Sequence, residues 1–297
     1  PNNVHGRVIR VNALINSRNL QQARSEIETF LKVAPDSPDL QFQMALVNFF
    51  QGRYKEAEST FASLRQRFPA DVKLAYAIAE VYMQTGRMHE ALTFLMQEHQ
   101  RQPDNLDIRK AVGNIAMRVG ALDQAEEQYR FLLGKEPQDV ELYMRMGETL
   151  RRKGQTQASI DILRKGQQIQ PNNPKSNLQL ALTLDAAGLK RESLPIYESI
   201  VKVQPDNPIA LNNLAFMLAE EGRDLDQALT YAQRARQQLP NSPDVADTLG
   251  WIYIKKNLSD NAVAIFKELT RKYQENSTYH YHLGLALYQK GDKVGAK

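Results

Sequence analysis

With 297 residues the chain is long enough for two ordinary domains or for one extended array of small units. Charged residues make up 24% and hydrophobic ones 42%, which excludes wholesale disorder, and no apolar run reaches the roughly 18 residues of a bilayer span. There is no cysteine, hence no disulfide, thiol nucleophile or thiolate metal site, and 38 Lys+Arg against 34 Asp+Glu leaves only +4, too little to imply a polyanionic partner.

Along the chain the same marks return on one clock. Pro1, Pro35, Pro69, Pro103, Pro137, Pro171 and Pro205 lie 34 residues apart, and Pro240 follows after 35. Gly52, Gly86, Gly120, Gly154, Gly188 and Gly222 keep the same spacing, with Asn257 and Gly291 after one slip. Seven residues before each of these stands a small residue: Ala45, Ala79, Gly113, Gly147, Ala181, Ala215, Gly250 and Gly284. Five residues after most of them stands another, Ala57, Ala91, Ala125, Ser159, Ser193, Ala262 and Ala296. Ala228 comes one residue late, so a single insertion lies between Gly222 and Ala228.

Each mark has a physical job in a helical hairpin. Glycine can end the first helix in the left-handed conformation without a Cβ penalty. One small residue on each helix lets the two axes approach. Proline stops the second helix, because it lacks the amide hydrogen. Two residues later a capping type recurs: Asn3, Ser37, Asp71, Asn105, Asp139, Asn173, Asn207, Ser242 and Asn276. In four repeats proline follows at the first helical position, Pro38, Pro174, Pro208 and Pro243. This scheme places 12 of the 13 prolines; Pro195 falls inside a second helix and predicts a kink or a delayed start there. Eight units result, at 4–37, 38–71, 72–105, 106–139, 140–173, 174–207, 208–242 and 243–276, with a partial ninth at 277–297 that stops at the start of its second helix.

The pattern resembles the tetratricopeptide repeat (TPR), best at Leu249-Gly250-Trp251-Ile252-Tyr253 with Ala262 and Phe266, and at Ala79-Glu80-Val81-Tyr82 with Gly86 and Ala91. Val11 and Arg18 in the first unit, Gln274 in place of proline in the eighth, and serine at two alanine positions depart from it. A 35-residue RNA-reading helical repeat has too long a period and lacks this Gly/Ala/Pro set. The resemblance implies an all-α, right-handed superhelical solenoid, a single array over 1–297. Pro1-Asn2-Asn3 matches the corner Pro171-Asn172-Asn173, and no polar capping helix closes the other end. The segment therefore reads as a piece of a longer protein.

In this family the first helices line a concave face, through positions 5, 9, 12 and 13 of each unit. Those positions carry Phe42, Leu46, Phe49 and Phe50, then Tyr76, Glu80 and Met83, then Lys110, Asn114, Met117 and Arg118. Met144, Glu148, Arg151 and Arg152 follow, and later Asn212, Phe216, Trp251, Ile254, Tyr281 and Tyr288. Aromatic and methionine side chains on such a face suit a protein or peptide partner. At Leu46, Leu182, Phe216 and Leu285 the same stripe also reads as core. Arg109, Lys110, Arg118, Arg145, Arg151, Arg152 and Lys153 form a basic cluster for which an anionic peptide or polysaccharide is the expected contact. Lys110, Asn114 and Lys175 match positions of the family's carboxylate clamp, while Arg145 and Gln179 depart from it. Glu80, Glu148 and Asp185 interrupt the basic strip and argue against nucleic acid.

No spacing marks a catalytic group. His280 and His282, two apart on a helix, face different ways, the other histidines (His5, His89, His99) are scattered, and the glycines are punctuation rather than a phosphate loop. Neither a cofactor nor a metal is expected, and the reading is a non-catalytic interaction scaffold. Residues 211–291 are similar to bacterial TPR proteins of exopolysaccharide export and exosortase (PEP-CTERM) sorting. That likeness implies an envelope setting on the periplasmic side ahead of a cytoplasmic one. The rival readings are the substrate-recruiting arm of an enzyme such as a glycosyltransferase, and a self-associating array.

Overall fold

The computed structural model describes residues 4–296, without the side chains of Val4, His5 and Arg7. The expected corner at Pro1–Asn3 lies outside the described residues. Among them the secondary structure is all α-helix, in 17 helices. First helices are α1 (Val4–Asn16), α3 (Pro38–Phe50), α5 (Val72–Gln84), α7 (Leu106–Val119), α9 (Val140–Arg152), α11 (Pro174–Ala186), α13 (Pro208–Glu220), α15 (Pro243–Lys255) and α17 (Ser277–Lys290). Each starts at the first residue of a unit read from the sequence. Second helices are α2 (Leu20–Leu31), α4 (Tyr54–Arg67), α6 (Met88–Arg101), α8 (Leu122–Lys135), α10 (Thr156–Ile169), α12 (Lys190–Val203), α14 (Leu225–Gln238) and α16 (Ser259–Lys272).

The punctuation works as its chemistry requires. The seven turn glycines have φ between 64° and 94°, and where glycine is missing Arg18 (φ 61°) and Asn257 (φ 59°) take the same left-handed place. The inserted residue is absorbed at Asp224 (φ 40°), whose carboxylate caps α14 by accepting from the Gln227 amide at 3.2 Å. Asp71, Asn105, Asp139, Asn173, Asn207, Ser242 and Asn276 all accept from amides of the helix they precede. Ser37 does not, although its backbone is that of a cap, and nothing in the structure explains the difference. Asn276 starts α17 on time without the expected proline, so the cap suffices. Pro195 delays nothing: α12 begins on schedule at Lys190 and runs through it. The segment after α17 turns at Gly291, and the Ala296 amide donates to the Asp292 carbonyl at 3.2 Å, the counterpart of the bond from Ala125 to Ala121 that opens α8.

The chain divides into two compact units, one up to Pro137 and one from Gln138. In both, a small residue on the first helix receives a large buried one from the second. A Cβ on Gly113 would stand 2.9 Å from the Tyr129 ring, one on Gly147 2.6 Å from Leu163, and one on Gly250 2.6 Å from Phe266. Only glycine permits these approaches. In the seventh hairpin the fit is reached differently, with alanines at 215, 228, 232 and 235, all fully buried.

The first unit also holds a buried ion pair between successive second helices. Arg65 on α4 bonds the Glu98 carboxylate on α6 and the carbonyls of Phe68 and Pro69, and Glu98 also accepts from Arg101 at 2.8 Å. Glu98 is fully buried, and desolvation, followed by the nearby Arg101 charge, lowers the Arg65 pKa.

Candidate functional site

A groove of about 630 Å³ opens in the first unit across α3, α5 and α7. Its apolar end is built by α3. Phe42, Leu46, Phe49 and Phe50 share one face because they are three and four residues apart. Phe42 packs on Phe61 with centroids 5.4 Å apart, and Phe49 meets Phe50 at 5.3 Å and Tyr54 at 5.6 Å, so the aromatic wall is braced from behind. Arg18, held in its left-handed turn, lies 4.2 Å from the Phe50 ring centroid. Phe50 nonetheless keeps 37% of its surface exposed.

The middle of the groove comes from α5, with Tyr76, Glu80 and Met83. Tyr76 donates to the Asp107 carbonyl on α7, and burial, then the Asp107 charge, pushes its pKa up to about 12. It is a neutral hydrogen-bonded phenol at any physiological pH. Glu80 accepts from Gln84 at 2.9 Å. The far end comes from α7. Asn114 accepts through Oδ1 from the buried Tyr129 hydroxyl at 2.9 Å, and Arg118 donates to the Met83 sulfur at 3.0 Å. Lys73 stands exposed at the rim.

Of the residues expected to meet a partner, the structure brings Phe42, Phe49, Phe50, Tyr76, Met83, Asn114 and Arg118 together here. Lys110 does not line the groove; its ammonium is 2.6 Å from Glu136. Arg109 donates to the Pro103 carbonyl (2.9 Å) and Gln128 (3.0 Å) and lies 3.6 Å from the Phe131 centroid.

The other predicted site residues belong to the second unit. Arg151 grips Glu148 in a two-pronged bond of 2.8 and 2.7 Å, which raises the Arg151 pKa, and Arg152 is exposed beside it. Arg145 and Lys175 share Glu141 at 3.0 and 3.1 Å, and Gln179 donates to the Met144 carbonyl at 2.8 Å. Trp251 donates to Glu220 at 2.8 Å and stacks on His282 at 4.9 Å, and His282 in turn donates to Asp247 at 2.8 Å. Lys255 lies over the same indole at 4.7 Å. Tyr281 and Tyr288 are 63% and 64% exposed. Of the four residues that also read as core, none is fully buried, and Leu182 is 41% exposed.

Sequence reasoning missed Lys73 at the groove rim and Tyr129 behind Asn114. Tyr129 was legible only as a large residue opposite Gly113, because its hydroxyl partner sits on another helix. Among the described residues no three His, Asp or Glu side chains gather closely enough to hold a metal, and no helix is long and apolar enough to cross a membrane.

Two sequence models, each described as tetratricopeptide repeat, match the chain, one over 10–71, 111–174 and 178–243, the other over 50–115 and 218–286. No curated protein sequence matches it. Among solved structures it is similar to a tetratricopeptide-repeat protein of Parabacteroides merdae, with TM-score 0.58 and 15% identity, over 84% of this chain and 98% of that one. The C-terminal part of a TPR repeat-containing protein of Cytophaga hutchinsonii gives TM-score 0.63 and 15% identity over 82% and 99%. YrrB, described as a TPR protein with an unusual peptide-binding site, gives 0.52 and 19% over 66% and 97%. At these identities the likeness concerns the fold alone.

Proposed function

The chain belongs to the tetratricopeptide-repeat family, and from that premise we propose that it is a non-catalytic scaffold that holds a peptide or partner segment in the groove across α3, α5 and α7. The observation that carries this reading is an open groove of about 630 Å³ whose wall is aromatic and braced, with Phe50 and Tyr76 still partly exposed. Cavities of roughly 300–1,000 Å³ lined by apolar side chains with a few polar groups are where proteins usually take ligands. That YrrB is described by a peptide-binding site is consistent with this use of the fold. An envelope role in polysaccharide secretion or assembly rests on the sequence likeness of residues 211–291 alone, and an anionic peptide or polysaccharide on the basic cluster, much of which is already paired with acids.

A photoactivatable crosslinker at Met83, in the groove, is to be compared in the source cell with one at His89, exposed on α6 of the same unit. A discrete protein adduct formed from position 83 and suppressed by Phe50→Ser supports the groove. Adducts formed equally from both positions would sink it.

A further inference from the structure

The groove is not uniform, and its gradient says something about its occupant. The α3 end presents only aromatic and aliphatic side chains. The α7 end presents donors. Asn114 has its oxygen occupied by the Tyr129 hydroxyl, which fixes the amide so that its nitrogen, with no bond to another described residue, is what remains to offer. Arg118, one turn further on the same face, bonds among the described residues only the Met83 thioether, a weak acceptor for a group with five N–H donors. Lys73 adds a second cation at the rim, against one groove carboxylate, Glu80, on the middle helix. By contrast Lys110, Arg145 and Arg151 each already have a carboxylate within 3.0 Å.

A guanidinium and an amide nitrogen one helical turn apart are complementary to a carboxylate. We propose, resting on the reading of this groove as a partner site, that its occupant is a protein segment with large apolar side chains against α3 and an acidic side chain bonded by Arg118 and Asn114 on α7. A side-chain carboxylate is the source rather than a chain terminus. Lys110, the lysine that the family resemblance pairs with Asn114 around a terminal carboxylate, is instead 2.6 Å from Glu136.

The test uses synthetic peptides of about 12 residues, blocked at both ends and sharing Leu and Phe anchors, that carry glutamate, glutamine or lysine at the same positions. Binding is read by fluorescence anisotropy. The glutamate peptide should bind about tenfold or more tighter than the glutamine peptide, the usual size of a charge-assisted bond, with the lysine peptide weakest. Arg118→Gln, a change at an exposed position, should erase that gap and leave the glutamine peptide unchanged. The peptide comparison on the unaltered protein stands even if the variant folds poorly. Equal binding of all three, lost in Phe50→Ser, would overturn the charge proposal and leave the groove reading intact. An otherwise identical glutamine peptide left unblocked at its C-terminus is the fourth ligand, and binding by it alone would also overturn the charge proposal. No binding, or binding indifferent to Phe50→Ser, would overturn both.

Discussion

At several of the same repeat positions the two units do opposite things, although Leu182 and Tyr288 of the second stay exposed as Phe50 of the first does. In the first, positions 9, 12 and 13 of the second unit read from the sequence carry Leu46, Phe49 and Phe50, which have little to bond and leave a groove open. In the second, equivalent positions carry Glu148, Arg151, Trp251 and Lys255, which bond or stack on their own neighbours. The period fixes where a side chain points, and its chemistry fixes whether that face is left for another molecule or closed by the protein itself. Stability and binding should therefore separate in the first unit and overlap in the second.

The largest break in that comparison is away from the groove. Glu98→Ala leaves Arg65 charged and enclosed without its carboxylate and should cost about 3 kcal/mol in urea unfolding. The double change Arg65→Met with Glu98→Leu should cost clearly less, and equal costs would mean that the pair is not electrostatically coupled. Groove substitutions in the same unit should move stability far less. Next comes Gly147→Leu in the second unit. Its side chain must enter space held by Leu163 and should cost about 1–3 kcal/mol, with Gly147→Ala in between; wild-type melting would contradict the helix register given above. Asp139→Ala, which removes the cap that accepts from the Glu141 amide, should cost about 1 kcal/mol, whereas Ser37→Ala should cost little because Ser37 makes no such bond.

The smallest effect concerns pH. Burial raises the Asp185 pKa above its ordinary 3.8, with Lys190 opposing. The folded state therefore binds this proton more tightly than the unfolded one, and the resulting stability is full below the ordinary pKa and declines as pH rises through the raised one. Asp185→Asn should be the more stable protein at neutral pH, and the advantage should vanish in acid. Chemical denaturation at several pH values checks it; an advantage that grows in acid would reverse the sign.

How much of this was legible in the sequence depends on the range of each interaction. Helix starts, left-handed turns and the small-against-large contacts are local or recur at fixed offsets, so glycines, prolines and capping residues announce them. Arg18 shows the limit, because the turn imposes its conformation even where the residue does not advertise it. The Arg65–Glu98 pair was not legible, since nothing in either helix shows that the other lies beside it. Likewise the concave positions could be enumerated, but whether a given one is open depends on bonds to residues about one repeat away, such as Trp251 to Glu220 and Gln179 to Met144. Pro195 did not delay its helix for the converse reason: one missing amide bond did not outweigh a helix face buried through Tyr197 and Ile200.

The extra residue at Asp224 has a consequence for how such arrays change over time. Because the added length is taken up in the turn, the helices on either side keep their faces, and only the numbering of the later repeats is shifted. The hairpin turn is thus a joint where length is decoupled from phase, and the place where a foreign loop could be grafted without rotating any downstream helix off its neighbour.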